Sequence, residues 1–458
     1  MLKVISSRLQ VLSARSGKPS PIVRAAPTGV ASNQIQGQTM HSLFRLPIDR
    51  GKFRPLADNP GNLQTLQSTF RGIHYLVLDE KSMLGLYHLG WIDQRLREIF
   101  PSRSNQYWGG ISVILMGDFF QLPPVGAKSL ISQDFQNFKP DEYPGYNAYR
   151  TLSKSILLTT IQRQQGEGQA EFRTALSELR FMNVSMHSWE VLTSRCAVNL
   201  NLQEVQSFAN AVRLYPQNKQ VSGYNNEHLL RIEKAVIVLE AVHEGTGAKD
   251  AEDTIAGNLT PVLKLCVGCR VMLTRNLWSE KGLVNGAQGT VFDMSWANGV
   301  TDPRATLPEV IMVVFDHYTG PPFTMPDGSV LQKGGKLVVP ILPVEHDFQV
   351  QGGDCSREQF PLVVSYAITV HKSQGITLAR AVCDLSTPDF TLGLSYVAVS
   401  RVKSLEGMMF DAPFDRARVF KENPVAGMRL RVEDLERRSG EVLEEVEDYS
   451  DDEEDESL

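Results

Sequence analysis

Three observations predict an α/β fold built on parallel, doubly wound sheets. Short apolar runs (Ile22–Ala25, Tyr75–Leu78, Ser112–Met116) are separated by helical stretches. Runs without polar alternation are what strands buried on both faces look like. Each run also stops at a polar or turn-forming cluster, Pro27-Thr28-Gly29, Asp79-Glu80 and Gly117-Asp118 in order. In sheets of this kind the chemistry lies beyond the carboxyl ends of the strands, and all three clusters fall there.

The elements follow in order. Leu2, Ile5, Leu9 and Leu12 share one helical face, and the breakers of Ser16–Pro21 end that helix. Its basic side chains (Lys3, Arg8, Arg15), with no acidic residue before Asp49, leave two readings, a mitochondrial presequence or a packed helix of a nucleic-acid enzyme. A polar stretch over Pro47–Gly61 leads to the second strand, and a helix around Leu86–Phe100 leads to the third. A second α/β region starts near Leu157 and runs to the strand at Arg213-Leu214-Tyr215. Residues 275–360 are dense in Gly, Pro and Val, with strand-like runs at Gly289–Phe292, Glu309–Phe315 and Lys336–Val339, which predicts a small inserted β-barrel. The chain returns to α/β at Leu362–Val370 and ends this pattern near Phe410. The expected division is a first domain over 1–150, a second over 151–275 and 361–425, the barrel over 276–360, and an acidic disordered tail over 426–458.

Composition narrows the classes. No apolar run approaches the ~20 residues of a membrane helix, so no membrane partner is expected. Five scattered cysteines, Cys196, Cys266, Cys269, Cys355 and Cys383, do not make a disulfide framework. Cys266 and Cys269 form a lone C-x-x-C, read as core thiols rather than zinc ligands. Residues 441–458 carry eleven acidic side chains, so the net charge of −6 becomes +5 over residues 1–440. A mildly basic body suits a polyanionic partner, and the acidic tail is a candidate docking segment for a protein partner.

The polar clusters carry the chemistry. Asp79 at a strand end suits Mg²⁺ held through water, and the adjacent Glu80 suits orientation of an attacking water; a helix-starting acidic pair is the structural alternative. V-I-L-M-G-D-F-F-Q-L-P-P-V over 113–125 is more constrained. Gly117 permits a tight turn, and Pro123-Pro124 stiffen the exit, holding Gln121 where it can report a γ-phosphate.

These residues carry a resemblance. A-P-T-G-V-A (26–31) with Thr39, His41 and Ser42, then V-L-D-E-K-S-M (77–83) and G-D-F-F-Q-L-P-P-V, look like motifs Ia, II and III of Pif-type superfamily-one DNA helicases. Arg163-Gln164 resembles motif IV, and V-M-L-T-R-N-L (271–277) with G-L-V-N-G-A-Q-G-T-V (282–291) resembles the segment entering the family's barrel. Y-A-I-T-V-H-K-S-Q-G-I-T-L (366–378) looks like motif V and Y-V-A-V-S-R-V (396–402) like motif VI; Helitron-type transposon helicase domains share the pattern.

The resemblance implies two RecA-like motor domains, the second carrying an SH3-like barrel, and an ATP-dependent helicase moving 5′ to 3′ on single-stranded DNA and DNA junctions. It implies genome-maintenance work (repair, recombination, telomeres) in the nucleus, with the mitochondrion as alternative. Asp79, Glu80, Gln121, Arg163 and Arg401 take the catalytic roles, the two arginines reaching the γ-phosphate across the cleft. Gly117, Asp118, Gln121, Gly375, Arg163 and Arg401 contact ATP, and Asp79 holds Mg²⁺. Pro27, Thr28, Thr39, His41, Ser42, Phe44, Asn276, Asn285, His371, Lys372 and Thr377 line the DNA track, Phe44 by stacking on a base or else as a core aromatic.

One part of that machinery is not written here. No Gly-Lys is part of a G-x-x-x-x-G-K-[ST] loop: Gly17-Lys18 precedes Pro19, Gly51-Lys52 precedes Phe53, and Gly335-Lys336 precedes Leu337. The expectation is an N-terminal truncation just before motif Ia, Met1–Val11 supplying the helix that follows the loop. An ATPase-deficient single-stranded DNA-binding or scaffold protein is the alternative.

Overall fold

The computed structural model describes residues 2–47, 53–56, 60–253, 255–300, 302, 306–325, 327–350 and 353–440. Four strands, β1 (Ile22–Ala26), β2 (Gln38–Thr39), β3 (Tyr75–Leu78) and β4 (Ser112–Leu115), form a parallel sheet in the order β2-β1-β3-β4. Ile22 is in register with Tyr75, and Tyr75 with Ser112, so the three expected strands end level and their polar clusters emerge together. Ala25, Leu76 and Leu78 are buried from the sheet against Phe44, Phe70, Trp91, Ile92 and Leu96. Helices Leu86–Ile99 and Glu142–Arg150 cross so closely that a Cβ on Gly145 would lie 1.7 Å from the Leu86 carbonyl oxygen. Only glycine permits that approach.

The Leu2–Arg15 helix forms as expected, yet Leu2, Ile5 and Leu9 are only half-buried and Leu12 is exposed; the buried residue is Ser6, whose hydroxyl accepts from Arg24 Nε at 3.2 Å. Its contact with β1 is thus polar rather than the apolar packing its spacing predicts.

After β5 (Val212–Tyr215) the chain leaves the second parallel sheet through eleven strands: β6 (Ile237–Glu240), β7 (Val242–Glu244), β8 (Val262–Leu265), β9 (Arg270–Leu273), β10 (Gln288–Ser295), β11 (Val310–Phe315), β12 (Gln332–Lys333), β13 (Lys336–Ile341), β14 (Val344–Val350), β15 (Gly353–Gln359) and β16 (Leu362–Val364). They pair antiparallel in three sheets, β12-β13-β11-β10-β9-β16, β14-β15-β7 and β6-β8. This region starts well before residue 276, and β16 pairs with β9, so residues 362–364 complete it rather than the second α/β core. Cys266 and Cys269 are fully buried in its core, where burial pushes the Cys269 thiol up to about 12.

The chain then supplies β17 (Ala367–Thr369), β18 (Ala381–Cys383) and β19 (Met408–Phe410), completing a second parallel sheet in the order β17-β5-β18-β19. Arg163, Gln164 and the 366–402 motifs meet around it.

The expected disordered tail needs correcting. Ala426–Ser439 is a helix that buries Met428, Arg431, Asp434 and Arg438, and it packs on the first domain although the chain enters it from the second. Tyr149 donates to both Asp434 carboxylate oxygens at 3.0 and 3.1 Å, Arg438 donates to the Leu152 carbonyl, and Leu430 joins the first core. Polar composition suggested disorder; the partners are a tyrosine and main-chain carbonyls remote in sequence. The acidic run 441–458 lies outside the described residues.

Candidate functional site

β3 delivers Asp79 and Glu80 to the cleft between the parallel sheets. The Asp79 carboxylate accepts from the Glu80 N–H at 2.9 Å, and Glu80 has φ +52°, a left-handed conformation uncommon for a non-glycine residue. Glu80 Oε2 is buried without a hydrogen-bond partner. Burial, followed by the Asp79 charge, pushes the Glu80 carboxyl up to about 7, Arg401 and Arg163 opposing. Burial also raises Asp79, against the hydrogen bond from the Glu80 amide. A carboxyl titrating near neutrality is suited to taking a proton from a bound water.

The loop after β4 packs on this strand end. Gly117 has φ +126°, and a Cβ there would stand 2.7 Å from the Lys81 nitrogen. Lys81 N–H in turn donates to the Met116 carbonyl at 2.8 Å. Asp118 accepts from Arg180 at 2.8 and 3.2 Å and from the Phe120 N–H at 3.1 Å, so its carboxylate anchors the loop. The Gln121 N–H donates to the Asp118 carbonyl at 3.1 Å, and its side chain meets Gln374 of the second domain at 3.5 Å.

Two guanidiniums face Glu80 from the second domain. Arg401 is 2% exposed and donates to the Val397 and Ser373 carbonyls at 2.8 and 3.3 Å and to the Ser400 hydroxyl at 2.8 Å. Burial, then the neighbouring Arg163, pull it down to about 10, Glu80 and Tyr396 opposing, so it stays charged at neutral pH. Arg163 donates to Thr377 Oγ1 at 3.1 Å and the Ser400 carbonyl at 2.9 Å, with Gln164 on the Ser400 and Val402 carbonyls beside it. Among the described residues neither arginine has a carboxylate within ion-pair distance. A buried Arg401 and a half-buried Arg163, neither ion-paired, stand opposite an orphaned carboxylate oxygen and fit the terminal phosphate of a nucleotide with an attacking water between them. Asp79 fits a magnesium ion held mainly by water and phosphate oxygens. The glycine-lysine cradle for the remaining phosphates is not among the 458 residues.

Two grooves hold further expected residues, and the smaller reaches the cleft through Thr377, which accepts from Arg163. The larger, about 1860 Å³, is lined by Pro27, Thr28, Thr39, His41, Ser42 and Asn276. The smaller, about 1070 Å³, is lined by Asn285, Gly375 and Thr377. The Asn285 N–H donates to Asn276 Oδ1 at 2.7 Å, which ties one wall of each groove together. Thr28 and Thr39 are held by local bonds, Oγ1 accepting from the Ala31 N–H at 3.2 Å and the Ser42 N–H at 3.3 Å. His41 is lowered by burial, keeping a neutral ring edge-on to His88.

Other expected residues fall elsewhere. Phe44 is fully buried against Phe70 beneath the sheet and cannot stack on a base; it is the core aromatic. Gly375 lies on a groove wall beside Gln34, whose Nε2 donates to its carbonyl, between Ser373 and Thr377, which accept from Arg401 and Arg163. His371 stacks on Phe390 and lines neither groove. Lys372 is exposed, its charge felt by Asp253 of the neighbouring antiparallel region.

The chain matches the PIF1-like helicase family model over residues 3–181 and the DNA helicase Pif1 2B-domain model over residues 254–294. It is 29% identical to the ATP-dependent DNA helicase Pif1 of Psychrobacter sp. (strain PRwf-1), covering 93% of this chain and 66% of that protein. It is also 29% identical to the Bdellovibrio bacteriovorus protein of the same name, covering 85% and 77%. The crystal structure of Pif1 helicase from Candida albicans superposes with a TM-score of 0.69 at 25% identity, over 96% of this chain and 92% of that one. Over residues 3–181 and 254–294 this chain is similar to PIF1-like helicases, and it shares their fold. Its two parallel sheets are RecA-like domains. Bacteroides Pif1 bound to single-stranded DNA also superposes, with a TM-score of 0.60 at 25% identity over 94% and 90% of the two chains. The chain spans between 42% and 77% of the length of the curated relatives it matches.

In this PIF1-like chain several residues of the cleft and grooves escape the motif reading. Gln374 and Tyr396 stand inside quoted motifs, and their polar side chains were the available signal. Arg275, beside Asn276 in the quoted 271–277 segment, lines the larger groove, and Arg45, Arg54 and His346 line it from segments whose nearness only the fold reveals. Arg180 and Arg431 grip the 117–125 loop from helices with no motif at all.

Proposed function

We propose that this chain carries the phosphate-sensing and strand-binding parts of an ATP-dependent DNA helicase that translocates 5′ to 3′ on single-stranded DNA. The observation carrying this reading is the pairing of Arg163 and Arg401 from one domain against Glu80 and Gln121 from the other, with strand-lining grooves alongside. ATP supplies the hydrolysable phosphoanhydride bond. Glu80 orients and deprotonates the attacking water, Asp79 holds Mg²⁺, and the two arginines stabilise charge developing on the transferred phosphoryl. Guanidiniums in such positions contribute roughly a thousandfold to a hundred-thousandfold. Gln121, touching Gln374, reports phosphate loss across the cleft. Thr28, Thr39, Ser42, Asn276, Asn285 and Thr377 hold the sugar-phosphate backbone with hydroxyls and amides, a sequence-tolerant mode. The antiparallel region of β9–β13 and β16 takes the place of the family's SH3-like barrel. Work on genomic DNA in repair, recombination and telomere maintenance, in the nucleus, follows from the same reading.

The sequence itself favours a second reading, DNA binding without turnover, because no glycine-lysine phosphate loop stands in these 458 residues. DNA-stimulated ATP hydrolysis separates the two, measured on this chain and on a version preceded by a G-x-x-x-x-G-K-[ST] strand-loop segment. Turnover in the extended chain, abolished by Glu80→Gln, supports the helicase reading. Its absence there, with single-stranded DNA still bound, supports the second.

A further inference from the structure

The Ala426–Ser439 helix makes a connection that none of the motifs accounts for. Arg431, on its buried face, donates from Nη1 to the Phe120 carbonyl at 3.2 Å and from Nη2 to the Leu392 carbonyl at 3.4 Å. Phe120 precedes the phosphate-facing Gln121 in the first domain. Leu392 precedes Gly393, the N-cap of the Leu394–Val399 helix that ends beside Arg401 in the second. The two carbonyls belong to surfaces in direct contact: Gly393 has φ +89°, and a Cβ there would stand 2.5 Å from the Phe120 carbonyl oxygen. At Gly427 of the same helix a Cβ would meet the Leu392 side chain at 2.7 Å.

The geometry points to Arg431 as a positioning residue that couples the Gln121 loop of one domain to the Arg401 helix of the other. This inference rests on the helicase reading of that cleft. A guanidinium suits the task because its planar fork presents separate N–H groups to two acceptors at a fixed angle, whereas a lysine ammonium on a flexible stem does not. Both acceptors are neutral main-chain carbonyls, so Arg431 fixes two backbone segments rather than side chains that could turn away. The rest of the helix holds it in place: Asp434 accepts from Tyr149 and Arg437, and Arg438 reaches the Leu152 carbonyl. Moving either domain without the other breaks one Arg431 bond; the Asp118–Arg180 pair and the Gln121–Gln374 contact also cross this junction, but Arg431 alone of these side chains holds a main-chain carbonyl on each side.

The deciding experiment is hydrogen exchange on the 458-residue chain carrying Arg431→Lys or Arg431→Ala, with Asp434→Asn as the control that loosens the helix without touching either carbonyl. The amides to follow are Phe120 and Gln121 in one loop, and Ser395 and Val397 in the Leu394–Val399 helix. Both Arg431 variants should speed exchange at both places roughly tenfold or more, the equilibrium effect of losing one charge-assisted hydrogen bond. Asp434→Asn should speed exchange within 426–439 alone. In the loop-extended chain, Arg431→Lys should lower kcat for ATP roughly tenfold to a hundredfold and leave KM unchanged. Wild-type protection at both places in the Arg431 variants, or equal deprotection by Asp434→Asn, would overturn the coupling. Absence of turnover in the extended wild type would sink the helicase reading instead, while the exchange data still decide the coupling.

Discussion

Replacing Glu80 with glutamine should make the protein more stable, and by an amount that depends on pH. The carboxyl is raised from its ordinary value of 4.5 to about 7. Between those values the folded chain holds a proton that the unfolded chain has already released, so stability falls as pH rises through that window. Each pH unit of the window is worth about 1.36 kcal/mol, so the cost of folding with Glu80 ionised reaches about 3 kcal/mol above pH 7. Glutamine has the same shape and no charge, so Glu80→Gln relieves that cost at about pH 8 and changes little at about pH 3.5, below the ordinary value, where wild type is largely protonated in both states. The assay is urea unfolding followed by tryptophan fluorescence, since Trp91 and Trp108 lie in the first-domain core. A variant no more stable than wild type at pH 8, or one whose advantage does not shrink on acidification, would show that Glu80 is not held against its charge. The same substitution should abolish any ATP turnover, so one residue is placed at a cost to stability for its chemistry.

Phe44→Ala should destabilise the first domain by about 3–5 kcal/mol, the usual cost of emptying an aromatic core site, while single-stranded DNA affinity per folded molecule stays unchanged in fluorescence anisotropy. Arg357 is fully buried and donates at 2.8 Å to each of the Leu259, Ala248 and Ala251 carbonyls. Arg357→Met should leave these acceptors bare at about 1–3 kcal/mol each, sensitise residues 245–259 to proteolysis, and weaken DNA binding because Gly257 and Asn258 line the larger groove. Arg401→Ala removes a positive charge that lowers the Glu80 pKa; the carboxyl should then titrate at a higher pH in a carbon-detected NMR titration.

Local signals were enough wherever one segment builds its own surroundings. The runs Y-L-V-L and S-V-I-L have nowhere to go but the middle of a sheet, and the clusters following them had to emerge at its carboxyl edge. Gly117 could be read as a turn because it ends the apolar run of the third strand, with Pro123-Pro124 stiffening the exit. Phe44 was ambiguous for the opposite reason: it follows groove residues His41 and Ser42 on one short helix, and only the helix's orientation sends it to the core while they face outward. Helical periodicity cannot supply that orientation when the helix is five residues long.

The Ala426–Ser439 helix shows where sequence patterning gives way to tertiary contact. Its strongly polar composition fits a solvated segment, because burying Arg431, Asp434 and Arg438 is unfavourable unless each finds a partner. Those partners are Phe120, Leu392, Tyr149 and Leu152, drawn from both domains, and three of them contribute only a main-chain carbonyl. A carbonyl leaves no trace in residue identity, so no spacing rule could have paired these segments. The same holds for Arg401, whose partners at Val397 and Ser373 are carbonyls as well. What distinguished Arg401 was its place in a motif, whereas Arg431 has none. The cleft therefore combines groups written into recognisable motifs with a backbone-holding arginine visible only once the chain is folded.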